Sequence, residues 1–411
     1  MLKGEYPLER FRDIRTPFYY YDTALLQRTL DTIRAALRDR PSWEVHYAVK
    51  ANRNPVLLQQ IAAAGLGVDC VSGGEIQAAL DAGFPASGIV YAGVGKADWE
   101  IRLGLSKGIC RFNVESEAEL EVIAAIAAEM GVVAPISFRV NPDIGAHTLA
   151  GITTGLAENK FGIYHGSIEP VIRKALQMPS VRFLGLHFHI GSQILDMSDF
   201  VGLCNRINEL TTRLERKGLP IGDINVGGGL GIEYGHPNHL PVADFDSYFN
   251  TFKRHLQGNR PVRFELGRSI IAPCGTLISR VLYVKEGIAR RFAILDAGVN
   301  DLVRPAMYHS AHRIENLSSD GPELPYDVVG PICESSDVFG KDVVLNECRR
   351  GDFVALRSAG AYGESMASTY NGRPLPGCVF SEEPTSTASP WTWTKPTAWA
   401  TSLPKSPSSA T

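Results

Sequence analysis

The stretch Glu44-Val45-His46-Tyr47-Ala48-Val49-Lys50-Ala51-Asn52 decides how this chain is read. Residues 44–50 have the pattern of a buried strand, and a lysine closes it. Lysine is almost never fully buried unless it is paired or chemically employed. At the end of an apolar strand its amine is expected to be partly desolvated, with a lowered pKa, ready to form a Schiff base. The competing reading is a lysine that snorkels from a strand end. The strand by itself favours that second reading, and the rest of the chain reverses the preference.

Moving outward, short β-branched runs alternate with longer amphipathic stretches. Strands are expected at 44–50, 67–72, 89–93, 111–114, 135–140, 182–190, 223–227 and 262–266. Helices are expected between them, such as 54–64, 73–83, 116–130, 198–217 and 243–257. Eight strands with intervening helices fit an α/β fold, a (β/α)8 TIM barrel over 26–270, better than an open doubly wound sheet. After residue 270 the runs shorten, at 277–284, 291–296, 326–330 and 351–357, and long helical periodicity disappears. This predicts a C-terminal all-β domain of sandwich or Greek-key type over 271–376. The N-terminal segment 1–25 contains the strand-like Pro17-Phe18-Tyr19-Tyr20-Tyr21-Asp22, expected to pair with that domain. Residues 377–411 are rich in Ser, Thr and Pro and carry Trp391, Trp393 and Trp399. They read as an unpacked tail, and a shifted reading frame is one account of them.

Composition narrows the function. The chain has 411 residues, with Lys+Arg 41 against Asp+Glu 44 and a net charge of -3, so no basic excess points to nucleic acid. No apolar run is long enough to span a membrane, and Met1 to Arg15 lacks the apolar segment of a signal peptide. Seven scattered cysteines without a CxxC pair suggest reduced thiols in the cytoplasm, not zinc or a disulfide framework.

Barrel chemistry sits at the carboxyl ends of the strands. Lys50 falls there. So do His187 and His189, whose alternate spacing puts both rings on one face, opposite Phe188. They read either as core histidines or as a ring to stack on a flat cofactor; no acidic cluster completes a metal site. The run Gly227-Gly228-Gly229-Leu230-Gly231 follows strand seven, where barrels build phosphate sites. Strand eight leads into Glu265-Leu266-Gly267-Arg268. The arginine suits a phosphate or a substrate carboxylate, and the glutamate could face a cofactor nitrogen. The β-domain adds Arg304 with Tyr308, Cys333-Glu334-Ser335-Ser336-Asp337, and Tyr370-Asn371.

In order along 10–376, these residues closely resemble the pyridoxal-phosphate-dependent diaminopimelate decarboxylases, of the alanine-racemase-like fold group. The matching segments also include Val68-Asp69-Cys70-Val71-Ser72-Gly73-Gly74-Glu75, Glu158-Asn159-Lys160-Phe161-Gly162, His187 to Gln193, Arg304 to Tyr308 and Ala361-Tyr362-Gly363. The resemblance implies that Lys50 holds pyridoxal 5'-phosphate and that His189 stacks on its ring. Asp69, Ser192, Gly227, Gly228, Gly229, Gly267, Arg268 and Tyr370 would join the cofactor site, and Glu265 would pair with the pyridine nitrogen. Cys333 would be the general acid. Arg268, Arg304, Tyr308, Glu334 and Tyr370 would bind substrate, with the arginines gripping a distal carboxylate and Glu334 a distal ammonium. Cys333 and Glu334 would come from the partner of a homodimer. The implied reaction is conversion of meso-2,6-diaminopimelate to L-lysine and carbon dioxide, the last step of lysine biosynthesis. The alternatives are decarboxylases of ornithine, arginine or carboxynorspermidine, a racemase using tyrosine in place of Cys333, a carrier of the cofactor, or a protein inactivated by its tail. Glu265-Leu266-Gly267-Arg268 departs from the family's usual Glu-Pro-Gly-Arg without losing either charged side chain.

Overall fold

Eight parallel strands close into a barrel in the computed structural model, which describes residues 6–144 and 160–382. In chain order the first ten strands are β1 (Phe18–Tyr21), β2 (Trp43–Ala48), β3 (Gly67–Cys70), β4 (Ile89–Tyr91), β5 (Arg111–Val114), β6 (Ala134–Asn141), β7 (Ile163–Tyr164), β8 (Val181–His187), β9 (Asp223–Asn225) and β10 (Val262–Leu266). The barrel order is β5-β4-β3-β2-β10-β9-β8-β6, and β5 pairs with β6 to close the ring. β7 is a short addition beside β6.

The helices start where the sequence supplies a cap. Ser72 Oγ accepts the Glu75 N–H while Glu75 Oε2 accepts the Val71 N–H, at 3.2 and 2.8 Å. Ser116 and Glu119 repeat the arrangement. Each pair satisfies donors that a helix start would otherwise leave bare. The capped helices lay apolar faces on the barrel; Phe245–His255, for example, buries Tyr248, Phe249 and Phe252, all within 6 Å of the Phe264 ring.

The remaining strands are β11 (Gly275–Glu286), β12 (Arg291–Leu295), β13 (Ile314–Asn316), β14 (Glu323–Val329), β15 (Val338–Asn346), β16 (Phe353–Leu356) and β17 (Gly377–Phe380). With β1 they form one mixed sheet. β11 joins its parts: residues 275–280 pair with β1 and β16, and 281–286 with β12. Phe18–Tyr21 pairs antiparallel with β11 and parallel with β17.

One expectation for the tail is corrected. Gly377–Phe380, grouped by sequence with the unpacked tail, is a strand parallel to β1. Phe380 stacks on Tyr21 with centroids 5.7 Å apart, and the Ser381 N–H donates to the Tyr21 carbonyl. Four residues are too few for a visible period; the edge that β1 presents decides their conformation. The rest of the tail, with Trp391, Trp393 and Trp399, and the motif residues Glu158 and Asn159 lie outside the described residues. No helix among the described residues is long and apolar enough to cross a membrane.

Candidate active site

At the carboxyl ends of the barrel strands lies a cavity of about 580 Å³. Lys50, Asp69, His189, Ser192, Gly229, Glu265, Gly267, Arg268, Arg304 and Tyr308 all line it. The barrel supplies the first eight. The short helix Arg304–Tyr308 brings the last two from the β-domain.

Strand β2 stops at Ala48, two residues earlier than expected, and Lys50 sits on a 3-10 turn, Val49–Ala51. Its side chain is open to the cavity but ringed by protein. Burial pulls the ammonium pKa down, while Asp69, Tyr362 and Glu265 pull it up, and the net shift is upward. The lowered amine pKa expected from sequence is thus corrected: the apolar strand hides carboxyls that face the amine from other strands. Asp69 is pushed up by burial first and then by Glu265, and pulled down by Lys50.

Glu265 is the fixed negative charge. His187 Nε2 is 3.0 Å from its Oε2, and the side-chain amides of Asn113 and Asn225 donate to Oε1 at 3.0 and 2.6 Å. Burial opposes its charge, but His187, His189 and Asn225 hold its pKa well below the usual carboxylate range. β8 ends at His187, so His189 lies past the strand rather than on it. Both rings still line the cavity. The Gly228 N–H donates to His189 Nδ1 at 3.2 Å, leaving the ring proton on Nε2. Burial, Arg139 and Lys50 keep this histidine neutral by lowering its pKa far below the ordinary value.

Gly227 and Gly228 stand behind the wall. Gly227 has φ +72°, and a Cβ on Gly228 would lie 1.9 Å from the Glu265 carbonyl oxygen. This part of the run is glycine because Phe188 and His189, just past β8, and Glu265 on β10 leave no room for a side chain.

Two buried guanidiniums form the opposite side. Arg268 Nη1 and Arg304 Nη1 both donate to the Tyr234 hydroxyl, at 2.8 and 3.0 Å. Arg268 also donates to Ser192 Oγ at 3.1 Å. Neither arginine makes a salt bridge among the described residues. Buried cations without carboxylate partners invite an anion.

Besides Gly227 and Gly228, three expected site residues do not line this cavity. Cys333, Glu334 and Tyr370 cluster on an exposed surface, where Tyr370 Oη donates to Glu334 Oε1 at 2.5 Å and the Cys333 N–H donates to the Asn371 side chain. Among the described lining residues there is no cysteine. Within the subunit Tyr362, not Tyr370, stands on the cavity wall with Tyr234 and Tyr308; it has φ +57° and its ring lies under Arg268. Its N–H donates to the Ala51 carbonyl at 2.7 Å, tying the β-domain to the turn that carries Lys50. The matched segment Ala361-Tyr362-Gly363 was the available signal. Sequence reading also missed Arg139, Asn113, Asn225 and Tyr234; none has a distinctive local pattern.

The donor set fits a pyridoxal cofactor. It joins an amine, a neutral imidazole, an ionised glutamate and two arginines. Asp69 Oδ1 and His187 Nδ1 are buried without a protein partner, as polar atoms awaiting a polar ligand would be.

Comparison with known proteins agrees with this geometry. Residues 24–275 match the pyridoxal binding domain of the pyridoxal-dependent decarboxylases. The chain is 59% identical to diaminopimelate decarboxylase of Bacteroides thetaiotaomicron over 93% of this chain and 100% of that one. It is 41% identical to the Zymomonas mobilis enzyme of that name, over 88% and 86%. The crystal structure of Helicobacter pylori diaminopimelate decarboxylase complexed with L-lysine superposes with a TM-score of 0.87 at 40% identity, over 91% of this chain and 94% of that one. The chain belongs to the diaminopimelate decarboxylase family of pyridoxal-dependent decarboxylases.

Proposed function

We propose that this protein removes carbon dioxide from meso-2,6-diaminopimelate to give L-lysine. The observation that carries this reading is the pair Arg268 and Arg304, buried on the wall of the Lys50 cavity without carboxylate partners. A substrate with a second carboxylate neutralises them; a diamine precursor such as ornithine would add a distal cation instead.

Pyridoxal phosphate, the cofactor of this family, supplies an electron sink for the pair left when carbon dioxide departs. The protein's residues do the rest. Lys50 provides the amine that anchors the cofactor. Glu265, held ionised by its three donors, would keep the pyridine nitrogen protonated. His189, neutral and fixed by the Gly228 N–H, would cover one ring face. Ser192, Asp69 and Tyr362, with backbone at Gly229 and Gly267, would hold the remaining polar groups, and Arg268, Arg304 and Tyr308 the substrate's far carboxylate.

Cys333 is the proposed proton donor, and Glu334 the partner of the distal ammonium. Their exposure outside their own cavity, beside Tyr370, supports delivery into the cavity of a partner subunit. We therefore propose a homodimer with shared sites, working in the cytoplasm. We divide the chain into a barrel over 26–270 and a β-domain over 271–380 completed by the N-terminal strand.

The test is carbon dioxide release from purified protein supplied with pyridoxal phosphate, comparing meso-diaminopimelate, ornithine and arginine. Release from meso-diaminopimelate alone, abolished by Lys50→Ala, is expected. Release from ornithine or arginine would overturn the roles given to Arg268 and Arg304.

A further inference from the structure

Tyr234 stands in the loop after the glycine run, and no motif pointed to it. Its hydroxyl accepts from Arg268 Nη1 and Arg304 Nη1 at once. The Arg304 guanidinium also lies over its ring, 5.0 Å from the centroid. Behind it, His312 meets the ring edge-on at 5.2 Å. His312 Nδ1 is 2.8 Å from the Arg357 carbonyl, which can only accept, so Nδ1 carries the proton. Nε2 is then an acceptor, and it takes an Arg304 N–H at 2.9 Å. Burial, followed by Arg304, lowers the His312 pKa to about 3, which keeps that acceptor available.

A phenol oxygen has two acceptor lone pairs and one donor hydrogen. Both lone pairs of Tyr234 are engaged by guanidiniums, so the O–H can only donate to something else. Tyr234 lines the cavity, between the two arginines. Whatever anion neutralises the arginines arrives where that hydrogen is free. Resting on the reaction proposed above, we infer that Tyr234 is a specificity-determining residue that donates its O–H to the substrate's distal carboxylate, with His312 positioning Arg304 in the same clamp. The three groups then form one preorganised anion site, and a substrate lacking that carboxylate leaves all of them unpaired.

L-Lysine and cadaverine test this. Carbon dioxide leaves from the other end of the substrate, so L-lysine retains the distal carboxylate and cadaverine has none. Calorimetric titration of the holoenzyme should give the wild type a clear preference for L-lysine. Tyr234→Phe should lose about 10–100-fold in L-lysine affinity, the range for a hydrogen bond to a charged group, with cadaverine affinity unchanged. In turnover, KM for meso-diaminopimelate should rise while kcat stays near wild type. An unchanged L-lysine to cadaverine ratio, in a wild type that does turn over meso-diaminopimelate, overturns the role of Tyr234 alone. A wild type that neither binds L-lysine nor releases carbon dioxide overturns the reaction and this inference together. If the phenylalanine protein binds neither ligand, His312→Phe decides: selective loss of L-lysine supports the clamp, and an unchanged ratio overturns it.

Discussion

His187 Nε2 lies 3.0 Å from Glu265 Oε2, both buried on the cavity's inner wall. The contact joins the ends of β8 and β10, with β9 between them. It leaves Glu265 ionised and His187 Nδ1 without a partner. Glu265→Gln keeps the shape and removes the charge. Its kcat should fall about 10²–10³-fold, the scale for losing one preorganised electrostatic contact, with KM little changed. Steady-state kinetics checks this, and a fall of KM and kcat together would point to ground-state strain instead.

The shared site predicts complementation. Lys50→Ala and Cys333→Ala proteins should each be inactive. Mixed and allowed to exchange subunits, they should regain activity, because some dimers then hold one cavity with both residues intact. Labelled subunits verify exchange, and no recovery after verified exchange would place Cys333 outside the site.

The opposite end of the barrel is sealed by charge. Asp223 takes both Arg111 nitrogens, at 2.7 and 2.6 Å, and Arg263 Nε at 3.2 Å; Arg263 also pairs with Glu44. Asp223→Ala strands the buried Arg111 guanidinium, while Arg263 keeps Glu44, and should cost about 3–5 kcal/mol. Urea denaturation measures this. A loss under about 1 kcal/mol, typical of exposed pairs, would mean the network is solvated.

Acid sensitivity follows from His312. Its pKa is lowered to about 3 in the folded chain, by burial first and then Arg304. The unfolded chain, with an ordinary value of about 6.5, binds a proton that the native state refuses. This contribution to stability is therefore complete above about pH 6.5 and is lost as pH falls toward 3, by about 1.4 kcal/mol per pH unit. Denaturation midpoints between pH 7 and 4 should drop, and His312→Gln should remove about one proton's worth of that slope. An unaltered slope would mean that the native state protonates this ring freely.

The sequence by itself determined the barrel, because strand and helix periods alternate along the chain and are local properties. It also determined the place of Lys50, His189, Glu265 and Arg268, since each closes or follows a barrel strand. The tertiary structure decided what depends on residues far apart in sequence. It set the Lys50 amine against carboxyls on other strands and so reversed the direction of its pKa. It placed Tyr362, rather than Tyr370, on the cavity wall, although the two lie eight positions apart in one loop region. It also enlisted Gly377–Phe380, which has no legible period, through the edge of β1. Tyr234 is the clearest case. Nothing in Gly231-Ile232-Glu233-Tyr234 marks a ligand, and its role exists only because Arg268 and Arg304, from the barrel and the β-domain, converge on one oxygen. Hydrogen-bond partners and electric fields act through space, and a linear pattern carries only the part of them that is close along the chain.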